Sequence, residues 1–168
     1  MTQADPPPPV APDEREPRGT KLPVSTLVLV YTKDLRVLLL ERADFPDHWQ
    51  SVTGSQEPGE PLEATAAREL LEETGIDAAQ HGGVVDWGIT NEYEIFPQWR
   101  HRYPPGTTHN TEHVFALPVP APVPVTLAPR EHLQYAWLPW PEAAARCFSW
   151  SNRDAILQLP ERAAREEA

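Results

Sequence analysis

The chain is 168 residues long and carries 25 Asp+Glu against 14 Lys+Arg, a formal net charge of −11. That balance excludes general binding to nucleic acid or to an anionic membrane surface. The single Cys147 excludes an internal disulfide, reads as a small apolar side chain and fits a reducing compartment. No apolar run approaches bilayer length and no signal-peptide core precedes the first strand, so a cytoplasmic location is expected.

In chain order, residues 1–20 are rich in proline and charge, lack apolar periodicity and read as a disordered or polyproline-like tail. Residues 21–160 read as one domain with mixed strands and helices. Val24 to Tyr31 and Arg36 to Leu40 are β-rich runs separated by Thr32-Lys33-Asp34, a hairpin whose strands are apolar enough to be covered on both faces. Trp49 reads as core packing at a strand edge, and Gln50 to Thr53 as a short strand entering Gly54. The stretch from Gly54 to Ile76 then carries the densest pattern in the chain. Pro61 suits the first helical position, Glu60 the N-cap and Gly75 the left-handed terminator, with Leu62 to Glu73 as the helix body. Leu62, Ala66, Ala67, Leu70 and Leu71 form its expected buried stripe.

Beyond Gly82 and Gly83, Val84 to Phe96 reads as one or two strands. Residues 97–111, rich in Pro, Gly and Thr, read as an irregular functional loop. Glu112 to Leu117 is a strand, Pro118 to Pro129 an extended edge or stiff spacer, and Leu133 to Leu138 the last strand. A helix starts at Pro141, and a second is capped by Ser151 or Asn152 and runs to about Leu159. Residues 161–168 read as a polar tail that frays.

Glu69, Glu72 and Glu73 stand at i, i+3 and i+4 on the box helix, a spacing that costs helix stability through repulsion. With Arg68 beside them and the Gly54 and Gly59 loop above, they make an oxygen cage for a hard divalent cation. Glu69 and Glu73 grip a single Mg²⁺, with Mn²⁺ as an alternative, and Glu72 extends the cage or takes a second ion. Arg68 orients a neighbouring carboxylate rather than touching substrate, and Glu60 is either a distant ligand through water or only a cap.

Gly54, Glu60 and the run Arg68-Glu69-Leu70-Leu71-Glu72-Glu73-Thr74-Gly75-Ile76 match the Nudix hydrolase signature without departure, and the chain resembles that family. The resemblance implies an α/β fold, a mixed β-sheet sandwiched between helices, and metal-dependent hydrolysis of a diphosphate bond. It also implies one further acid from outside the box. Glu131, just before the last strand, is chosen as ligand or general base over Glu112, which is assigned to a structural pair with Arg102.

Four other stretches resemble the bacterial dihydroneopterin triphosphate diphosphatases of folate synthesis: Lys21 to Ser25, Trp49 to Ser55, Glu94-Ile95-Phe96 with Arg100 to Tyr103, and Ser149 to Arg153. That likeness implies a small-molecule triphosphate as substrate. Arg100, His101 and Arg102 then form a cationic island for the triphosphate; Lys21, Arg42 and Thr53 contact phosphate or ring; Tyr93, Phe96 and Trp150 stack on a pterin. Ser149 binds the pterin edge or caps the helix. The alternatives are pyrophosphohydrolysis of (deoxy)nucleoside triphosphates or dinucleoside polyphosphates, and a Nudix domain retained as a non-catalytic binding module. Oligomeric state is left open.

Overall fold

The structure, a computed structural model, describes residues 19–167. The tail expected over residues 1–20 therefore lies almost wholly outside the described residues. Strand β1 (Val24–Thr32) is the spine of the sheet. One edge pairs in parallel with β6 (His109–Val119) along its full length, from Val24 opposite Thr111 to Thr32 opposite Val119. Its other edge is shared. β2 (Arg36–Arg42) meets β1 only near the turn, at Tyr31 opposite Val37, and then leaves to pair with β3 (Trp49–Gln50) and β7 (His132–Pro139). β4 (Val52–Ser55) takes the vacated place, pairing Ser55 to Val52 with Ser25 to Val28. β5 (Val85–Glu94) closes the far side against β6. All pairings but β1–β6 are antiparallel, so the seven-stranded sheet is mixed.

Both faces of the central strands are apolar because both are covered. Val28 and Val30 of β1, Leu38 and Leu40 of β2, and Phe115 and Leu117 of β6 point to α1 (Leu62–Thr74), meeting Ala66 and Leu70. The alternate residues Leu27, Leu29, Tyr31, Val37, Leu39, Val114 and Ala116 face the other side, covered by α2 (Trp140–Arg146), α3 (Trp150–Leu157) and α4 (Leu159–Glu167). The α/β/α sandwich expected from the resemblance is present, and its two cores follow from the two-residue period of a strand.

Several boundaries differ from the sequence reading, each for a local reason. Pro61 is the N-cap of α1 rather than its first residue, and Glu60 does not cap the helix because its carboxylate is occupied by Arg68 and Thr65. Leu71 is 52% exposed; the place expected for it at the edge of the buried stripe goes instead to Thr65, Glu73 and Thr74. Gly75 does end the helix at φ 75°, its N–H donating to Leu71 O. The segment 97–111 is not irregular throughout: Pro97–Arg102 forms a 3-10 helix and β6 begins at His109. Val123, Val125 and Leu127 pack on the α1 core, and Thr126 N–H donates to Thr74 O, so the proline-rich segment secures the end of α1 rather than spacing the rim. Ser149, not Ser151 or Asn152, caps α3 by accepting from Asn152 N–H.

The fraying polar tail expected over residues 161–168 is instead continuous with α4 through Glu167. Leu159 and Ala163 face the core, Arg162 donates to Trp87 O at 2.8 Å, and Glu166 accepts from Trp87 Nε1 at 3.1 Å and from the Tyr31 hydroxyl. Composition alone hid this because the apolar face is supplied by so few side chains. Ending the chain after Leu159 should destabilise the fold by about 2 kcal/mol, a midpoint shift of roughly 4–8 °C. Thermal denaturation of the truncated and full chains measures it; an unchanged midpoint would return α4 to the status of a tail.

Candidate active site

The parting of β1 and β2 decides where the site lies. β4 runs beside β1, turns at Ser55 and feeds the Gly59 loop (φ 75°) into α1, so the carboxylates of α1 face the strand ends. There they border a cleft of about 1080 Å³ lined by Glu69, Glu72, Glu73, Glu131 and His132 together with Lys21, Arg42, Arg102 and Arg130. Carboxylates and cations thus line one cavity together, Arg42 standing directly opposite His132 in the β2–β7 register, which is how a chain of net charge −11 can receive a polyanion.

Arg68 organises the carboxylates. Its guanidinium forks onto Glu60, with Nε to Oε2 at 2.8 Å and Nη2 to Oε1 at 3.0 Å. It also donates to Glu69 Oε1 at 2.9 Å, to Ser55 O at 3.0 Å and, more weakly, to Glu72 Oε2 at 3.4 Å. The hydrogen bonds from Arg68 hold the Glu60 carboxyl at about 2 despite partial burial. Glu60 is therefore an anchor for Arg68 and, beyond that, an acceptor for Thr65 Oγ1 and Glu57 N–H.

Glu69 and Glu73 have the opposite electrostatics. Burial pushes Glu69 up to about 7, against the pull of Arg68 and with the help of Glu72 and Glu131. Burial, then the charges of Glu69 and Glu131, raise Glu73 well above the usual carboxylate range; only Arg42 and the Thr53 N–H oppose this. Glu73 is 4% exposed and its Oε2 has no hydrogen-bond partner among the described residues. Its Oε1 lies 3.5 Å from Nε2 of His132, a side chain that burial holds neutral, at about 4. Donor atoms of Glu73, Glu131 and His132 all lie within 4.8 Å of one another.

The residues fit a hard divalent cation. The donors are carboxylates, one of their buried oxygens is unsatisfied, and removing protons from two raised carboxyls is the natural consequence of placing positive charge between them. Gly54 completes the cradle: a Cβ there would sit 2.0 Å from Glu69 Cδ, so the space that Glu69 occupies depends on the missing side chain.

Among the cations, Arg42 bonds Asp44 through Nε at 2.6 Å, donates to Gln50 Oε1 at 3.1 Å, and stacks over the Trp99 ring at 4.6 Å. Burial raises the Asp44 carboxyl, but hydrogen bonds and charge from Arg42 leave it below its ordinary value. Arg102 lies 3.9 Å from Asp44 and 5.9 Å from the Trp99 ring centre, and Lys21 Nζ lies over Tyr103 at 5.6 Å. Thr53 lines the cleft as well, although its backbone N–H serves Glu73.

The cleft shares an edge with a smaller recess of about 120 Å³. Phe96, Trp99, Phe148, Ser149 and Trp150 line it, with Tyr93 shared between the two cavities. Two expectations fail here. Arg100 faces away, its Nη2 donating to Glu94 at 2.6 Å and its Nε to Ile95 O at 2.9 Å, so the island expected from Arg100, His101 and Arg102 contributes only Arg102 to the cleft. Glu112 does not pair with Arg102; it is buried in β6, accepts from Ser151 and Asn91, and lines the recess. Ser149 Oγ accepts from Asn152 N–H, the capping alternative. Cys147 packs against the core beside α2, and burial pushes its thiol up to about 12, so it stays protonated.

The sequence reading missed His132, Trp99, Gln50 and Arg130. His132 follows Glu131 directly, and in an extended chain the two residues point to opposite sides. The signal was a buried histidine beside an exposed acid, which only the strand's placement against α1 makes meaningful.

Comparison with known proteins yields consistent relatives. The NUDIX domain family model matches residues 21–159. The dihydroneopterin triphosphate diphosphatase of Escherichia coli K12 is 50% identical over 141 residues, 83% of this chain and 93% of that protein. Its counterpart from Haemophilus influenzae is 42% identical over 79% of this chain and 84% of that protein. The solved E. coli dihydroneopterin triphosphate pyrophosphohydrolase superposes with a TM-score of 0.77 at 49% identity, covering 83% of this chain and 96% of that chain. A Caenorhabditis elegans Ap4A hydrolase shares the fold at 21% identity, with a TM-score of 0.67 over 84% of this chain and 97% of that chain.

The raised carboxyls set a pH dependence. In the unfolded chain Glu69 and Glu73 are fully ionised above about pH 6, whereas in the folded, metal-free chain burial holds Glu69 up at about 7 and raises Glu73 well above its ordinary value. The folded state binds more protons, so stability falls as pH rises from 6.5 to 8. Glu112, raised by burial to about 7, adds the same sign, and His132 opposes it only below its ordinary value of 6.5. In a chelator, the midpoint should drop by roughly 5 °C across that window, and Mg²⁺ should raise it more at pH 8 than at pH 6.5. Calorimetry with and without Mg²⁺ measures both, and a midpoint that climbs with pH in the chelator would contradict the assignment.

Proposed function

The chain belongs to the Nudix hydrolase family and is a Nudix diphosphatase, and from that premise we propose that it hydrolyses 7,8-dihydroneopterin triphosphate to dihydroneopterin monophosphate and pyrophosphate. The observation that carries this reading is the pairing of one cleft, lined by both carboxylates and cations, with an aromatic recess that shares its edge. The first suits a triphosphate and the second a flat heterocycle. Half the residues are shared with the E. coli enzyme of that name over most of both chains.

Glu73 and Glu131, whose donor atoms cluster with those of His132, are the residues that would hold Mg²⁺ or Mn²⁺, with Glu69 on the same cleft and Glu72 at its exposed rim. When bound, such a cation neutralises non-bridging phosphate oxygens and makes water a better nucleophile. The rest falls to the chain itself. Arg68 fixes the Glu69 carboxylate through Nη1 while its fork on Glu60 prevents it from swinging into the cleft. Lys21, Arg42 and Arg102 take the β- and γ-phosphates, Arg42 being kept flat by its stack on Trp99. Thr53, at the junction of cleft and recess, borders the α-phosphate, and Tyr93, Phe96 and Trp150 wall the pterin. Water attacks the α-phosphorus, Glu131 accepts its proton, and the bond to the α–β bridging oxygen breaks with release of pyrophosphate.

Purified protein with Mg²⁺ should release pyrophosphate from 7,8-dihydroneopterin triphosphate faster than from dATP or a diadenosine polyphosphate. A reversed order would favour nucleotide hydrolysis on the same fold. Glu69→Gln should lower kcat by about 10²–10⁴-fold, and retention of parental turnover would remove the metal cage from the mechanism. Gly54→Ala separates geometry from stability. The new methyl displaces the end of a flexible side chain, so the melting midpoint should move little while activity falls by at least about tenfold. Full activity in that variant would show that Glu69 is not needed where it stands.

A further inference from the structure

We propose that Glu112 is the residue that reads the heterocycle, its carboxylate receiving the adjacent ring N–H and exocyclic amino N–H of a 2-amino-4-oxo pyrimidine ring such as that of a pterin. The inference rests on the pterin reading above and adds the group that enforces it. Glu112 sits on β6, 3% exposed, on the lining of the recess rather than of the metal cleft. Ser151 and Asn91 side chains donate to its carboxyl group, yet Oε1 is buried with no hydrogen-bond partner among the described residues. A buried carboxylate oxygen left unsatisfied costs on the order of 1–3 kcal/mol, a penalty that a ligand donor removes.

The surroundings favour one ligand chemistry. Phe96 and Trp99 face each other at 5.4 Å with a 53° tilt, and Phe148 and Trp150 complete an aromatic lining. Trp99 Nε1 is buried and also lacks a partner among the described residues, so the recess offers both an unsatisfied acceptor and an unsatisfied donor. Asn152 contributes to neither, because its amide is spent on Ser51 at 2.7 and 2.9 Å. A 2-amino-4-oxo ring presents two parallel N–H donors on one edge, the arrangement a carboxylate accepts best. Adenine presents one donor beside a ring-nitrogen lone pair, and that lone pair would face carboxylate oxygen. The same carboxylate therefore attracts the pterin and repels adenine nucleotides. Burial, which raises Glu112 to about 7, leaves it close to the protonation boundary, and paired donors favour the ionised form.

Two measurements test this, neither relying on the other. In the first, neopterin and its lumazine counterpart, in which oxygen replaces the 2-amino group, are compared as inhibitors of the wild-type protein hydrolysing a triphosphate. Neopterin should bind about 10- to 100-fold more tightly; equal inhibition overturns the assignment. In the second, Glu112→Gln is assayed on 7,8-dihydroneopterin triphosphate and on dATP, with the melting midpoint as control. The ratio of kcat/KM for pterin over dATP should fall about 10- to 100-fold, carried mainly by KM for the pterin. A parallel loss on both substrates, or an unchanged ratio, assigns Glu112 to structure and overturns the proposal. Wild-type turnover of the pterin triphosphate with an unchanged ratio would sink this inference alone, whereas no wild-type turnover of it would sink the function from which it starts.

Discussion

One guanidinium carries much of this site. Arg68 joins three parts of the chain: the loop carboxylate Glu60, the strand-end carbonyl of Ser55 and the helix carboxylate Glu69. The Glu69, Glu72 and Glu73 cluster is self-repelling, and a helix bearing it needs a compensating charge nearby. Arg68 supplies that charge from the same helix, but its fork is turned toward Glu60, so Glu69 receives one hydrogen bond and is not neutralised outright. The result is an asymmetric pair of acids. Glu60 is pinned in its ionised form at about 2, while Glu69 remains near 7, available to exchange a proton for a cation.

The sheet explains why those acids share a cleft with cations. β1 cannot pair with β2 and β4 over the same residues, so β2 departs after the hairpin and carries Arg42 outward to Asp44, Gln50 and Trp99. β4 enters in its place and delivers Thr53 and Gly54 against α1. One exchange of partners along one strand thus opens the cleft and furnishes part of its lining. β7, paired with the outer edge of β2, returns Glu131 and His132 to the same region from the far end of the chain.

What could be read from sequence follows the range of the interactions involved. The box helix, its Gly75 terminator and the central strands are legible because helix periodicity, left-handed glycine and apolar alternation are local signals. Glu69, Glu73 and Arg68 are legible for the same reason: their spacing on one helix already implies their proximity. Arg100 and Arg102 were indistinguishable as sequence, two cations two residues apart, and only the 3-10 turn at Pro97–Arg102 sends one to Glu94 and the other to the cleft. Glu112 looked like a surface acid in search of a cation because its burial depends on α3 arriving against β6 from more than thirty residues away. The α4 extension escaped notice because Leu159 and Ala163 are too few to make a recognisable stripe, although the ends of Trp87 and Tyr31 wait for Arg162 and Glu166.

The two cavities divide the work of recognition in a way that bears on how such a fold changes substrate. On the proposed reading the charged cleft would take the phosphates, which every polyphosphate substrate presents alike, and it is lined from α1, β4, the β2 end, the 3-10 helix and the segments carrying Lys21 and Glu131. The recess would take the part of the ligand that differs between substrates, and it is lined from β5, the 3-10 helix, β6 and the start of α3. Only a few side chains, Arg42, Gln50, Thr53, Tyr93, Trp99 and Tyr103, belong to both. Changes in the recess can therefore alter which ring is accepted without moving a carboxylate of the cage, whereas a change to a shared residue such as Arg42 must disturb phosphate and ring together. If Glu112 reads the heterocycle as proposed, it is in the recess, where a buried carboxylate needs a complementary edge, that substrate choice acquires its physical cost.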